Sequence, residues 1–415
     1  MFKSFLTATF LLIGSVPINA QNILIRADRL FDGTELRTNH IMVISDQTII
    51  YVGKPAGAKM DIESVIDLGD ATLMPGMIEG HSHVLLYPYN ETNWNDQVLK
   101  ESRSLRAIRG AQMAERNLMA GFTTIRDLGS EGAEYADVGI KKSIELGINP
   151  GPRMIVAGKA IVATGSYGPK GFHPDIEVHL GAEAADGDDL IRVVRDQIGK
   201  GADVIKVYAD YRWGPKGESL PTFSLDELSL IVKTAASSGR QTVAHANSDE
   251  AIRRAVLAGV STIEHGSEVS RETLLLMKEK GVALCPTLAA TDAITQYRGW
   301  NKEEDPEPAV ITQKRAMMKI ALEIGVTIAA GGDVGVFPHG ENYRELDLMV
   351  AYGMKPIDVL RSVTSVNAEV FRLERLGMLK AGYLADVIAV KGDPTEEILQ
   401  TKEILFVMKD GVIYQ

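Results

Sequence analysis

The stretch GADVIKVY, residues 201–208, combines a glycine, a short apolar run and a polar side chain near its end. The same order recurs along the chain, with the glycine and the polar residue at Gly121 and Asp127, Gly239 and His245, Gly259 and His265, Gly281 and Cys285, and Gly325 and Asp333. A glycine just past a helix can adopt the left-handed conformation that ends the helix, so each glycine is expected to mark a joint between a helix and a strand. The repeat therefore predicts alternating β-strands and α-helices.

Helical periodicity fills the segments between these strands. Apolar residues three and four apart predict helices over residues 190–198, 225–236, 251–258 and 312–324. Short, nearly all-apolar strands are typical of a parallel sheet that is buried on both faces. About eight such units over roughly 290 residues predict an α/β fold with a closed (β/α)8 TIM barrel, whose active site lies at the carboxyl ends of the strands. A doubly wound open sheet is the alternative, although no glycine-rich phosphate fingerprint supports it.

Both ends of the chain differ from the middle. Strand-like runs at 23–25, 41–44 and 48–52 are broken by turn signals, and the tail repeats this style at 386–390, 406–408 and 412–414. Neither segment is long enough to form a stable sheet alone, so we expect them to pair into one small β-sandwich. The predicted organisation is a signal peptide at 1–20, a (β/α)8 barrel at 75–369, and a discontinuous β-sandwich domain from 21–74 and 370–415.

Composition limits the class of partner. The chain has 415 residues, 45% of them hydrophobic, and a formal net charge of -11, which disfavours nucleic acid and anionic membrane surfaces. Residues 1–20 resemble a secretory signal, with Lys3 before an apolar run; a membrane anchor is the alternative, but the run is too short to span. We therefore expect an exported, periplasmic or secreted protein with no membrane span after cleavage, and a homo-oligomer stays open. The single cysteine, Cys285, is expected in the core.

Six potential metal ligands lie at or just past the ends of predicted strands: His81, His83, Lys206, His245, His265 and Asp333. Strand side chains alternate, so His81 and His83, two residues apart, project to the same side. The pair of His81 and His83 is about as compatible with two structural histidines, and a lone histidine such as His245 or His265 is more often a hydrogen-bonded structural residue. Asp333 is also compatible with a turn or a helix cap. Because barrel strands present their carboxyl ends on one face, the coincidence of all six indicates a metal centre.

Lys206 is the most informative of the six. It lies within the apolar run 204–208, where an unpaired ammonium group is costly to bury. A salt bridge to Asp127 or Asp333 is one solution. The other is that burial lowers the pKa of the amine, which then captures carbon dioxide, and the carbamate bridges two metal ions.

These motifs resemble those of the amidohydrolase superfamily and, within it, of the imidazolonepropionase-like and Xaa-Pro dipeptidase-like group with a binuclear metal centre. The resemblance covers nearly all of residues 21–415 and rests on MPGMIEGHSH at 74–83, VIKVY at 204–208, AHA at 244–246, IEHG at 263–266, GD at 332–333 and KAGYLADVI at 380–388. It implies that His81, His83 and Asp333 hold one metal ion and that His245 and His265 hold the other. N6-carboxylysine at Lys206 and a hydroxide would bridge them. Zinc fits this ligand set, and manganese, cobalt and iron stay open.

The resemblance implies hydrolysis of an amide C–N bond, in dipeptides or N-acyl amino acids, by a metal-bridging hydroxide with Asp333 as the proton shuttle. Tyr208 is expected to stabilise the oxyanion, or alternatively to pack inside the barrel. Candidate substrate-binding residues on strand-end loops are Arg212, His339 and Tyr167. Arg212 and His339 are candidates for binding a substrate carboxylate. Tyr167 lies in a loop, 164–169, where relatives often carry Gly-Gly-His instead.

Two other functions stay open. One is hydrolysis of a cyclic amide of the imidazolone type, or deamination, although relatives that perform this chemistry usually use one metal ion and lack a lysine ligand. The other is an exported metal- or ligand-binding protein that keeps the barrel without turnover.

Overall fold

The computed structural model describes residues 22–173 and 175–415. The predicted signal peptide lies outside these ranges. Within them, no helix is both long enough and apolar enough to cross a membrane.

Strands and helices alternate through the middle of the chain. The strands are β1 Asn22–Arg26, β2 Arg29–Phe31, β3 Leu36–Thr38, β4 Ile41–Ser45, β5 Thr48–Gly53, β6 Ser64–Asp67, β7 Ala71–Pro75, β8 Met77–Ser82, β9 Phe122–Asp127, β10 Arg153–Val156, β11 Ile161–Val162, β12 Glu183–Ala184, β13 Val204–Tyr208, β14 Asp210–Arg212, β15 Ser219–Pro221, β16 Gln241–Ser248, β17 Thr262–Glu268, β18 Ala283–Cys285, β19 Val387–Lys391, β20 Ile404–Lys409 and β21 Val412–Ile413. The α-helices are α1 Trp94–Leu99, α2 Arg103–Met119, α3 Ala136–Glu145, α4 Asp189–Gly199, α5 Leu225–Ala236, α6 Asp249–Ala258, α7 Arg271–Lys280, α8 Leu288–Tyr297, α9 Ala309–Ile324, α10 Tyr343–Ala351, α11 Pro356–Arg361 and α12 Asn367–Val370.

The predicted helix-to-strand joints are confirmed. Gly259, Gly281 and Gly325 end α6, α7 and α9 in the left-handed conformation, with φ of 96°, 68° and 78°. A residue with a Cβ is disfavoured in this conformation, which is why a glycine follows the helix in each of these repeats. Helix α5 has the predicted bounds, and α4, α6 and α9 extend the predicted helices by a few residues.

Parallel strands follow one another around the middle of the molecule. One sheet has the order β10-β9-β8, and another has the order β12-β11-β13-β16-β17-β18. The segment 328–334 lies between them, because Ile328 pairs with Leu284 of β18 and Val334 pairs with Ser82 of β8, both in parallel. The fold is therefore mixed α/β, and the carboxyl ends of β8, β13, β16 and β17 and the segment 328–334 lie on the same side.

Strands from both ends of the chain share a sheet beside these parallel strands. The order β21-β20-β19-β7-β2-β3 places the tail strand β19 antiparallel to β7, and a second sheet has the order β5-β4-β1-β6. Buried side chains of the two sheets form one apolar cluster that includes Ile25, Met42, Leu73, Val387 and Met408.

Cys285 is fully buried in β18 and packs in an apolar cluster with Ile78 and Ala329. The expectation of a core cysteine is confirmed.

Candidate metal centre

Two histidines and one aspartate converge at the end of β8. The Nε2 atoms of His81 and His83 are 3.3 Å apart, and the Asp333 Oδ1 atom lies 3.3 Å from His83 Nε2 and 3.7 Å from His81 Nε2. Alternation along β8 turns the two imidazoles to the same side, as predicted. Three potential ligand atoms therefore lie within 4.8 Å of one another.

Asp333 reaches this cluster because two glycines precede it. A Cβ at Gly331 would lie 2.7 Å from the backbone nitrogen of His81, so only glycine lets the segment approach β8 this closely. Asp333 itself has a φ of 62°, a strained value for a residue with a side chain. Its Oδ1 atom is buried and has no hydrogen-bond partner among residues 22–173 and 175–415. A buried oxygen without a partner is costly, and a cation would satisfy it.

His245 and His265 lie three residues before the carboxyl ends of the neighbouring strands β16 and β17. Their ring centroids are 4.5 Å apart, and the His265 ring is 5.3 Å from that of His81. Burial lowers the pKa of His81, His245 and His265 well below the usual value, so these imidazoles are neutral, the form that binds a metal ion.

Lys206 is buried beside His81. Its side chain is 1% exposed, and within the described part of the chain no carboxylate oxygen lies within 4.0 Å of its amine. The Nζ atom is 3.4 Å from His81 Nε2. The salt bridge to Asp127 or Asp333 is thus not formed, since Asp127 instead accepts a hydrogen bond from the Val84 backbone. Burial lowers the pKa of Lys206 although Glu264 and Asp333 oppose the shift, and a more readily deprotonated amine is the form that carboxylation requires.

Hydrogen bonds to the Nδ1 atoms of His81 and His83 fix the orientations of these two rings. His81 Nδ1 lies 2.9 Å from Glu264 Oε2, and Arg126 donates to the other oxygen of Glu264 at 2.8 Å. His83 Nδ1 bonds the Gly129 carbonyl at 2.8 Å. Such contacts leave Nε2 of His81 and His83 for a metal ion. At His245 the engaged nitrogen is Nε2, which lies 3.2 Å from Asn247 Nδ2, so Nδ1 is the nitrogen left for a metal ion.

Sequence reasoning missed two carboxylates that support the cluster, Glu264 and Glu79. Glu79 is buried and accepts hydrogen bonds from the backbone nitrogens of His81 at 3.1 Å and Gly332 at 2.8 Å, so it ties β8 to the Asp333 segment. Its place two residues before His81, on the same side of the strand, is the signal that could have found it. For Glu264 the only signal was its adjacency to His265.

Tyr208 and Tyr167 both lie beside the histidines. The Tyr208 ring stacks on His245 with centroids 4.5 Å apart, and the Tyr167 ring packs on Tyr208 at 4.6 Å. Both hydroxyl groups donate to Glu131, at 3.3 Å from Tyr208 and 2.7 Å from Tyr167. Glu131 was not among the predicted site residues.

Arg212 and His339 occupy different environments. Arg212 is exposed on β14. The pKa of His245 is lowered by burial first, then by the charges of Lys206 and Arg212, so Arg212 lies near His245. His339 is buried, with Nδ1 2.9 Å from Asn117 Nδ2 and Nε2 3.2 Å from the His83 carbonyl. Because both ring nitrogens are engaged, this placement favours a structural role for His339 over the expected contact with a substrate carboxylate.

The contact between His265 and Thr287 leads to a first prediction. His265 Nδ1 lies 2.7 Å from Thr287 Oγ1. In Thr287→Val the ring loses this partner, and we expect metal affinity to fall about 10- to 100-fold. Thr287→Ser keeps the hydroxyl group and should retain the wild-type affinity. Metal content after dialysis against graded chelator concentrations measures the difference, and equal retention by the two variants would contradict the proposed role of His265.

Comparison with known proteins agrees with this geometry. Ochratoxinase from Aspergillus niger is 31% identical over 419 residues, which covers 92% of this chain and 84% of the relative. A solved structure of a Xaa-Pro dipeptidase with bound methionine in the active site superposes with a TM-score of 0.85 at 31% identity, covering 95% of this chain and 100% of that one. The solved A. niger ochratoxinase gives a TM-score of 0.82 at 29% identity, covering 95% and 96%. The sequence profile of the Amidohydrolase family matches residues 72–414. The chain belongs to the amidohydrolase family and is a hydrolase of carbon–nitrogen bonds.

Proposed function

We propose that this protein is a metal-dependent amidohydrolase that cleaves the C–N amide bond of dipeptides or N-acyl amino acids. The observation that carries the proposal is that two imidazole nitrogens, from His81 and His83, meet Asp333 Oδ1 beside the buried Lys206. Within the ranges that the structure describes, this oxygen has no hydrogen-bond partner and Lys206 has no carboxylate partner. Similarity to a Xaa-Pro dipeptidase and to ochratoxinase supports this class of reaction.

The donor set fits two divalent cations, with zinc as the first choice for imidazole-rich ligands. His81, His83 and Asp333 would hold one ion and His245 and His265 the other, with Lys206, as N6-carboxylysine, between them. When bound, such ions lower the pKa of water and polarise a substrate carbonyl.

Asp333 moves the proton. Its Oδ1 atom, buried beside His83, would hold the ion, which leaves the second carboxylate oxygen to accept a proton. The carboxylate accepts a proton from the attacking water as the new C–O bond forms. It then gives this proton to the leaving nitrogen as the C–N bond breaks, which releases a carboxylic acid and an amine.

Tyr208 supplies a hydroxyl group next to the same cluster. Its hydrogen bond to Glu131, at 3.3 Å, is long for a hydroxyl donor, so little free energy is lost when the hydroxyl turns to a developing oxyanion.

Arg212 is our candidate for binding the C-terminal carboxylate of the substrate. In Arg212→Met we expect KM to rise about 10-fold for substrates with a free carboxylate, because one partly solvated contact between charged groups is lost. For the same substrates blocked as amides, KM should stay unchanged. Arg195→Met, at an exposed position on α4, is the matched control. If wild-type enzyme hydrolyses blocked and free substrates equally well, Arg212 does not have this role.

A substrate screen tests the proposed function. The purified protein is stripped with a chelator, reloaded with zinc, manganese or cobalt, and assayed on a library of dipeptides and N-acyl amino acids. We expect activity only after reloading, with about two metal equivalents per chain. A metal-loaded protein that releases no amine from any member of the library would contradict the proposal, and ammonia release from an amino-purine or pyrimidine would favour deamination instead.

We also propose the architecture that would house this reaction. The hydrogen bond from the Asp203 backbone nitrogen to the Val156 carbonyl, at 2.8 Å, links β10 to the start of β13 and supports closure of a (β/α)8 barrel over residues 75–369. The mixed sheet of β7 and β19 supports a discontinuous β-sandwich domain from 21–74 and 370–415. Export with cleavage before Gln21 is tested by N-terminal sequencing of the protein from its native host.

A further inference from the structure

Glu131 is a buried carboxylate on the loop that follows β9. It is 3% exposed, and three aromatic side chains donate hydrogen bonds to it. Tyr167 Oη and Trp94 Nε1 lie 2.7 Å and 2.8 Å from its Oε2 atom, and Tyr208 Oη lies 3.3 Å from Oε1. All three donors are neutral, so they stabilise the negative charge without cancelling it.

The carboxylate has no cationic partner. Among residues 22–173 and 175–415, no lysine, arginine or histidine nitrogen lies within 4.0 Å of it, whereas the nearby buried Glu264 pairs with Arg126. Acidic side chains are almost never fully buried without a partner. Neutral donors satisfy the hydrogen bonds of Glu131, and within the described ranges no side-chain cation contacts it, so a cationic group of a bound molecule can pair with it.

The backbone holds Glu131 in place. Its φ is 47°, in the left-handed region that a residue with a side chain adopts at a cost of about 1 kcal/mol. The buried Arg106 donates to the Glu131 carbonyl at 2.6 Å and also to the carbonyls of Leu85 and Ser130. A strained position that is fixed by a buried arginine indicates a side chain whose placement matters, since strain of this kind clusters at functional sites.

Glu131 also borders the metal centre. Gly129 lies between the two groups: a Cβ atom added to this glycine would be 3.3 Å from Glu131 Oε1 and 3.5 Å from His83 Cε1. Burial raises the pKa of the Tyr89 hydroxyl group well above its usual value, and the charges of Glu131 and Asp333 raise it further. Tyr89 therefore lies near both carboxylates. The rings of Tyr208 and Tyr211 pack around Tyr167 on the other side, 4.6 Å and 4.9 Å away.

We propose that Glu131 and the surrounding aromatic rings bind the free α-ammonium group of the substrate, so that unblocked dipeptides are preferred over N-acyl amino acids. An ammonium group pairs with a carboxylate and is attracted to the faces of aromatic rings. The α-amino group of a dipeptide is two bonds from the scissile carbonyl carbon, which matches a carboxylate at the border of the metal centre. This inference rests on the proposed function and narrows its substrate class.

The test uses substrate pairs that differ only in the ammonium group. Glycyl-L-methionine and N-acetyl-L-methionine share the scissile bond and the C-terminal residue, and glycyl-L-proline and N-acetyl-L-proline form a second pair. The α-amino group is largely protonated at pH 7. We expect the metal-loaded wild-type enzyme to favour the glycyl member by roughly 10- to 100-fold in kcat/KM, and Glu131→Gln to abolish most of this preference. Glu131→Asp should restore part of it, and Glu115→Gln, at an exposed position on α2, should keep it.

Each outcome is decisive for one of the two proposals. Equal kcat/KM for both members in the wild type, or an equal fall for both in Glu131→Gln, overturns the ammonium site and leaves Glu131 as a positioning residue for Tyr208. If neither member of any pair is hydrolysed, the proposed function fails. Dissociation constants of the same pairs, measured by calorimetry, then still test the site: tighter binding of the glycyl member, lost in Glu131→Gln, supports it, and equal binding refutes it.

Discussion

Replacing Lys206 by methionine is expected to remove at least one of two metal equivalents and to lower kcat/KM at least about 1000-fold. The Lys206 side chain is 1% exposed, and no carboxylate lies within 4.0 Å of it in the described ranges. We therefore expect that the two proposed metal ions stabilise this buried side chain. Loss of a bridging ligand should cost about 4 kcal/mol of transition-state stabilisation, which corresponds to this factor. Metal analysis and steady-state kinetics measure both effects.

Two further variants separate a carbamate from a simple cation at this position. Lys206→Arg keeps the positive charge but stays protonated and is not carboxylated, so it should be as inactive as Lys206→Met. Lys200→Met, at a half-exposed lysine paired with Asp196, should behave as wild type. Full activity and two metal ions in Lys206→Arg would refute the carboxylated lysine.

Asp333→Asn is the second variant with a large expected effect. The substitution keeps the shape of the side chain and its Oδ1 atom, 3.3 Å from His83 Nε2, but removes the carboxylate that accepts the proton. General acid–base catalysis typically contributes 100- to 10,000-fold, so we expect kcat to fall by about 1000-fold or more. KM should change little, because the carboxylate acts on water and on the leaving nitrogen.

The control for Asp333→Asn is Asp188→Asn, at an exposed position that makes no side-chain cap for α4. Circular dichroism and metal content separate a catalytic loss from misfolding. Asp333→Asn protein that retains wild-type kcat would remove Asp333 from the proton shuttle.

The positions of the candidate ligands along the chain were predictable, because a β-α repeat produces a periodic pattern of apolar residues and glycines in the sequence. The glycine joints at Gly259, Gly281 and Gly325 follow from backbone sterics at each helix end. The shared side of His81 and His83 follows from the alternation of side chains in a strand. These are local effects, and the residues that produce them lie within a few positions of one another.

The partners of those ligands were not predictable. His81 bonds Glu264 across 183 positions of the chain, and which strand lies beside which decides this contact. His339 has no local signal that separates a buried ring behind His83 from an exposed one. Glu131 follows a strand, like the ligands, but only its three aromatic neighbours and the absence of a cation in the described structure distinguish it from a solvated loop residue.

The sequence by itself determined the alternation of strands and helices, the six candidate ligands and the family to which they belong, since these depend on spacing and residue type. Only the tertiary structure decided that, among the residues it describes, Lys206 has no ion pair, Asp333 Oδ1 has no hydrogen-bond partner and the buried Glu131 has no cation beside it. Burial and pairing are properties of segments that meet from distant parts of the chain, and no local pattern encodes them.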